Sequence, residues 1–60
     1  MTAYFYDRQE GCNKRFDHVE EMKFGIEMLD GTYQHIVQIF YNRSAETLPT
    51  DRYYLVMVHR

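Results

Sequence analysis

Residues 17–30, which read DHVEEMKFGIEMLD, carry the strongest local signal in the chain and decide the predicted fold. Asp17 is suited to an N-cap, because its carboxylate can accept hydrogen bonds from free first-turn amides, and Glu20 completes an Asp-led capping box. Apolar residues then recur at spacings of three, four and three, within about 80° of arc on a helix. They are Val19, Met22, Ile26 and Leu29. Gly31 follows as a candidate left-handed residue that ends the helix. The stretch therefore predicts an amphipathic helix over 17–30.

The segments before this helix are rich in aromatic residues. Residues 3–8 predict a strand, and Glu10-Gly11 predicts a turn. Residues 12–16 fit either a second short strand, which would close a hairpin, or a loop.

Two long β-branched and aromatic runs follow the helix. Residues 32–42 and 52–59 predict strands, and residues 43–51, with Pro49, predict the connection between them. Pairing the two runs as a hairpin gives the shortest connection. We therefore predict an α+β fold, in which an antiparallel sheet of three to four strands carries one helix packed on one face, in the order β(β)αββ. Sixty residues allow one small domain, residues 1–60.

Composition excludes several classes of function. The formal net charge is −2 and the pI is near 5.8, so non-specific electrostatic binding to nucleic acid or anionic lipid is disfavoured. No apolar run approaches the roughly 20 residues needed to span a bilayer, so no membrane partner is expected. The single Cys12 excludes an intramolecular disulfide and suits a reducing compartment, which predicts a cytoplasmic protein.

Residues that could support catalysis are few. Cys12 lies near Lys14 and Arg15, which could favour a thiolate, but no histidine is tied to it by sequence. His35 and His59 fall on strands predicted to be adjacent, where they could face each other as metal ligands, although ordinary polar strand positions explain them as well. We therefore expect no enzyme, no catalytic residue, no metal and no cofactor. A small metal- or thiol-dependent enzyme is the less favoured reading.

The outward face of the predicted helix is the candidate partner-binding site. It combines carboxylates with two apolar side chains off the buried stripe: Glu20, Glu21, Phe24, Glu27 and Met28. Residues 17–30 hold one Lys against five acids, a net charge of −4. Acidic groups around apolar anchors favour a larger protein or nucleoprotein with a basic surface as partner. The predicted function is a non-enzymatic protein-binding module, an inhibitor or adaptor that blocks a basic site. Its small size and acidity are common among phage-encoded inhibitors of host machinery.

The predicted strands are apolar on both faces, and one helix can cover only one of them. The uncovered face predicts a homodimer or second contact surface, because a large apolar patch on so small a chain marks a contact surface. Its predicted residues are Ile36, Phe40, Tyr54, Val56 and Val58.

The alternative function is a small nucleic-acid-binding module that uses an aromatic sheet face. Tyr4, Phe5, Tyr6 and Arg8 lie within five residues on the first predicted strand, and aromatic rings can stack on bases. The acidic net charge makes direct nucleic-acid binding the weaker hypothesis.

Overall fold

The computed structural model describes residues 1–60 and contains strands and turns only. The six strands are β1 (Thr2–Asp7), β2 (Cys12–Phe16), β3 (Glu21–Leu29), β4 (Thr32–Phe40), β5 (Ala45–Pro49) and β6 (Tyr53–His59). They form two three-stranded antiparallel sheets, the first in the order β2-β1-β6 and the second in the order β3-β4-β5. The predicted α+β fold with one helix on one face is therefore wrong. No helix is present that could cross a membrane.

The predicted helix over 17–30 is replaced by β3 and the chain around it. The residues of β3 alternate with the period of a strand, since Met22, Phe24, Ile26 and Met28 occupy every second position. Asp30 and Gly31 have φ angles of 51° and 79°, which makes them a two-residue hairpin turn between Leu29 and Thr32. Asp-Gly before a β-branched run is a hairpin signal, and here it outweighs the helical spacing.

The chain passes from the first sheet to the second at residues 17–20. His18 has a φ of 59° and turns the backbone, so that Val19 leaves the line of β2. The amide of Val19 donates to the carbonyl oxygen of Met1 at 2.9 Å, and the N-terminal ammonium donates to the carbonyl oxygen of Val19 at 2.8 Å. The Glu20 amide then donates to the carbonyl oxygen of Phe40 at 2.8 Å. Asp17, the predicted N-cap, instead accepts hydrogen bonds from Arg15 and Thr2.

The predicted hairpin of residues 32–42 with 52–59 is also wrong. Within the predicted connection, β5 pairs antiparallel with β4, and Leu48 of β5 lies opposite Val37. Leu48 is buried, which gives this short segment a reason to form a strand. The last strand, β6, pairs with β1 instead. Strands β1 and β4 lie where residues 3–8 and 32–42 predict them, and residues 12–16 form the strand β2.

The core lies between the two sheets. Ala3 and Phe5 of the first sheet meet side chains of the second sheet and Val19 of the corner segment, and Phe16 packs edge-on against Phe5 with ring centroids 5.6 Å apart. The cluster of buried apolar residues is Ala3, Phe5, Val19, Val37, Ile39 and Leu48. So small a buried set explains why much apolar surface stays exposed.

A buried ion pair joins the end of β1 to the segment before β6. The Asp7 carboxylate is fully buried and accepts hydrogen bonds from Arg52 at 2.9 and 2.8 Å. It also accepts from the amides of Gln9 and Glu10 in the β1–β2 turn. The hydrogen bond from Arg52 is the main reason that the pKa of Asp7 lies well below its ordinary value. All of these hydrogen bonds come from groups of the same chain, so the Asp7 carboxylate has a structural role.

Candidate interaction surface

The half of the β3–β4 hairpin nearest its turn carries exposed apolar side chains on the face that continues from the core. The register pairs Phe24 with Val37, Ile26 with His35 and Met28 with Tyr33, so these residues share one face with the core residue Val37. Beyond Val37 the face is open. The exposed fractions are 64% for Phe24, 63% for Ile26, 53% for Met28 and 74% for Tyr33. We call these four residues the apolar platform.

The platform is open because the first sheet covers only the other half of the hairpin. Val37 and Ile39 of β4 are fully buried, whereas Tyr33 and His35 towards the turn are exposed. The longer second sheet thus extends past its partner: β3 and β4 have nine residues each, and β1 has six. Ile26, predicted as part of the buried helical stripe, lies on this overhang and is exposed.

Two grooves between the sheets meet at Phe24. One groove, of about 630 Å³, runs between the start of β3 and the end of β6. Its lining includes Met22, Phe24, Val58 and His59. The other groove, of about 320 Å³, reaches inward to Phe5 and Val37. Phe24 therefore lines both grooves, and its ring is accessible to solvent between the two sheets.

Carboxylates are concentrated on β3, the strand that carries most of the platform, and at its two ends. Residues 20–30 hold one Lys against four acids, a net charge of −3, whereas the rest of the chain has six basic and five acidic residues. The four acids, all exposed, are Glu20, Glu21, Glu27 and Asp30. Lys23 lies 4.0 Å from Glu21 and stands over the Phe40 ring at 5.5 Å from its centroid. The negative charge of the protein is thus concentrated on β3 and its two ends.

The predicted partner-binding residues are all exposed, but they do not form one helical face. Strand alternation places Phe24 and Met28 on the platform side and Glu21 and Glu27 on the opposite side of β3. Glu20 precedes the strand. An acidic helix is therefore the wrong description of this region. Sequence reasoning missed the part played by Ile26 and Tyr33, although the Asp30-Gly31 turn signal, with alternation on both sides, could have found them.

The predicted second contact face is divided between the two sheets. Ile36 and Phe40 belong to β4 in the second sheet, and Ile36 is only 4% exposed. Tyr54, Val56 and Val58 belong to β6 in the first sheet. Because β4 pairs with β3 and β5 while β6 pairs with β1, these five residues do not lie on one sheet face.

The outer face of the first sheet carries a second, different surface. Tyr4 lies opposite Arg15, and Tyr6 lies opposite Tyr54. The Arg8 guanidinium lies 5.8 Å from the centroid of the Tyr54 ring. Phe5, predicted to act with these residues, is buried in the core instead, as alternation requires.

No group of three His, Cys, Asp or Glu side chains lies close enough together to hold a metal ion. His35 and His59, predicted on adjacent strands, belong to different sheets.

Cys12 is an exposed free thiol, and its neighbour Lys14 pairs with Glu10, a bond that raises the pKa of Lys14. Tyr41 donates to Glu46 at 2.6 Å, and burial, followed by that bond, raises the pKa of Tyr41 to about 12.

Comparison with protein-family models, with curated proteins and with solved structures gives no significant match. The function of the protein is therefore inferred from its own surfaces.

Proposed function

We propose that the protein is a non-enzymatic protein-binding module, an inhibitor or adaptor whose contact surface is the apolar platform. The observation that carries this proposal is the overhang of the β3–β4 hairpin, where four large apolar side chains, each more than half exposed, form one face. Large apolar side chains grouped on one face mark an interaction site on a small protein. They supply the desolvated centre where most binding energy resides.

The negative charge of β3 and its two ends supports a partner with a basic surface. The carboxylates of residues 20–30 attract such a surface over about one Debye length, near 8 Å at physiological ionic strength. Binding would block that basic surface by occupying it. The exposed free thiol of Cys12 suits a reducing compartment, and we therefore keep the cytoplasm as the proposed location.

The test compares two double variants in affinity capture on immobilised protein. Met28→Ser with Tyr33→Ser removes a cross-strand pair of the platform. Tyr6→Ser with Tyr54→Ser removes a cross-strand pair on the outer face of the first sheet and serves as the matched control. We expect the platform variant to lose the proteins that the wild type and the control retain. Equal retention by all three proteins would refute the platform as the contact surface.

The acidic residues at the two ends of β3 are tested by neutralising their charge without changing the shape of the side chains. Glu20→Gln with Asp30→Asn removes two carboxylates, and Asn is accepted at the positive φ of residue 30. For a captured partner, we expect slower association and little change in dissociation, with the difference lost at high salt. Unchanged association at low salt would exclude a basic partner surface.

A second candidate, single-stranded nucleic-acid binding, is favoured by one observation, the grouping of Tyr4, Tyr6 and Tyr54 with Arg8 and Arg15 on the first sheet. Base–aromatic stacking contributes about 1–3 kcal/mol per base. Fluorescence anisotropy with a labelled oligothymidylate at low salt tests it, and Tyr6→Ala with Tyr54→Ala should abolish any binding. Absence of binding by the wild type would eliminate this candidate.

A further inference from the structure

The four edge strands of the two sheets differ in how well they resist pairing with another chain. β5 has five residues and ends at Pro49, and β2 has five residues that include Lys14 and Arg15. β6 is interrupted by a bulge, because its register with β1 shifts at Val56. Short strands, proline, basic side chains and bulges are the features that protect sheet edges. β3 has nine residues, one basic side chain (Lys23), no proline and an unbroken register with β4, so its free edge is the least protected of the four.

The turn geometry determines which backbone groups of β3 lie on that free edge. Leu29 and Thr32 flank a two-residue turn, so they form a hydrogen-bonded pair, and every second pair along the hairpin does the same. Residues 21, 23, 25, 27 and 29 therefore direct their amides and carbonyls towards β4. The amides and carbonyls of Met22, Phe24, Ile26 and Met28 are left for a strand outside the sheet.

The sequence of β3 is complementary to itself about Gly25. When a second copy of β3 pairs antiparallel with Gly25 opposite Gly25, Lys23 lies opposite Glu27 on one face, and this happens twice by symmetry. On the other face Phe24 lies opposite Ile26, and Met22 lies opposite Met28. This register also joins the free amides and carbonyls of the even-numbered residues with one another, as the ladder requires.

Neighbouring registers lose this match. With Phe24 opposite Phe24, Glu21 faces Glu27, and directly opposed like charges destabilise a sheet. With Ile26 opposite Ile26, Lys23 faces Leu29 and has no acidic partner. Only the register centred on Gly25 overlaps all nine residues and pairs the charges. A Cβ atom at Gly25 would meet nothing within 4 Å, so the face of the strand has room there for a side chain.

We infer that a second copy of this chain docks on the free edge of β3, through antiparallel pairing of the two β3 strands about a two-fold axis at Gly25. The two second sheets then form one six-stranded sheet. Because opposed residues of an antiparallel pair lie on the same face, the two apolar platforms become continuous across the axis. This inference goes beyond the proposed function, since it concerns self-association through the backbone edge and the Lys23–Glu27 face, and it leaves the outward side of the joined platforms open to a partner.

A charge-swap series measured by sedimentation equilibrium tests the inference. Lys23→Glu places a carboxylate opposite Glu27 of the second copy at two symmetric sites, and Glu27→Lys places two ammonium groups together. Each single variant should weaken dimerisation by about tenfold or more, and the double variant should restore it. Within one chain Lys23 and Glu27 lie opposite Gln38 and Gln34, so the swap creates no like-charge cross-strand pair. Lys23→Glu does place a carboxylate beside Glu21, so the thermal midpoint of each variant is measured as a control. A monomeric wild type at about 100 μM, or a double variant as weak as the singles, would overturn the inference.

A cross-link tests the register directly. In a Cys12→Ser background, Gly25→Cys places two thiols on a non-hydrogen-bonded pair, where Cα atoms lie about 4.5 Å apart, within the range of disulfides. We expect rapid formation of a covalent dimer under mild oxidation. Gln34→Cys in the same background is the control on β4 and should remain uncrosslinked. Equal cross-linking at both positions, or none at Gly25→Cys, would overturn the proposed register.

These outcomes separate the dimer from the proposed function. The Met28→Ser and Tyr33→Ser variant tests partner capture and leaves Lys23 and Glu27 in place; because Met28 also lies opposite Met22 of the second copy, its oligomeric state is measured alongside capture. A monomer that still captures its partner through the platform would overturn the dimer alone. A dimer that captures nothing through the platform would overturn the protein-binding proposal alone.

Discussion

Ile39 and Ile26 provide a matched pair for testing how residues 17–40 are arranged, because the same substitution has opposite expectations at the two positions. Ile39 is fully buried between the sheets, whereas Ile26 is 63% exposed on the hairpin overhang. A helix over 17–30 would place Ile26 in the buried stripe. Ile39→Ala removes buried methyl groups and leaves a cavity, which costs about 2–5 kcal/mol in the free energy of unfolding. Ile26→Ala changes an exposed edge position, where strand preference costs at most about 1 kcal/mol.

The size of the protein makes this difference easy to measure. At about 0.05–0.15 kcal/mol per residue, a chain of 60 residues has a total stability of about 3–9 kcal/mol. Ile39→Ala therefore removes a large share of it and should lower the thermal midpoint by at least about 8 °C. Far-ultraviolet circular dichroism with urea or heat follows the transition, at one fixed protein concentration because association adds stability. Equal losses from both variants, or the larger loss from Ile26→Ala, would refute the strand assignment.

Two further predictions concern the buried ion pair and the turns. The folded-state pKa of Asp7 is depressed by Arg52, so its contribution to stability is present above the ordinary carboxyl value of 3.8 and is lost as the pH falls below it. Thermal unfolding between pH 2 and pH 7 should therefore show a flatter profile for Asp7→Asn than for the wild type, and parallel profiles would contradict this role. Gly31→Ala should lower stability by about 1–2 kcal/mol because residue 31 has a φ of 79°. Gly25→Ala, at an open strand position, should be neutral or stabilising by up to about 1 kcal/mol, and urea titration of both variants checks the contrast.

Much of the strand content could be predicted, because aromatic and β-branched residues dominate β1, β4 and β6. The prediction of a helix over residues 17–30 is wrong because two periodicities overlap there. Val19, Met22, Ile26 and Leu29 fit a helix, while Met22, Phe24, Ile26 and Met28 fit a strand. The helical interpretation placed Phe24 and Met28 off the buried stripe as partner-binding anchors, whereas in the strand they share one face with Met22 and Ile26. The Asp30-Gly31 turn was the signal that could have decided between the two.

Other features depend on contacts that local patterns do not contain. β5 is a short polar segment that becomes a strand because Leu48 completes the core beside Val37. The pairing of Asp7 with Arg52 joins residues 45 positions apart. The exposure of Phe24 and Met28 is predicted from the sequence. Their grouping with Ile26 and Tyr33 follows from the β3–β4 pairing and from the short first sheet, which leaves the turn end of that hairpin uncovered.

Amide hydrogen exchange along β3, measured by nuclear magnetic resonance as a function of protein concentration, tests most directly whether β3 is an edge strand that a second copy completes. At low concentration the amides of Lys23, Gly25, Glu27 and Leu29, which face β4, should be protected, and those of Met22, Phe24, Ile26 and Met28 should exchange rapidly. As the concentration rises, the second set should become protected together. Rapid exchange of the second set even at the highest concentration would leave the edge without its second strand, and uniform protection in a protein that sedimentation shows to be monomeric would indicate a helix; either result would contradict an edge strand completed by a second copy.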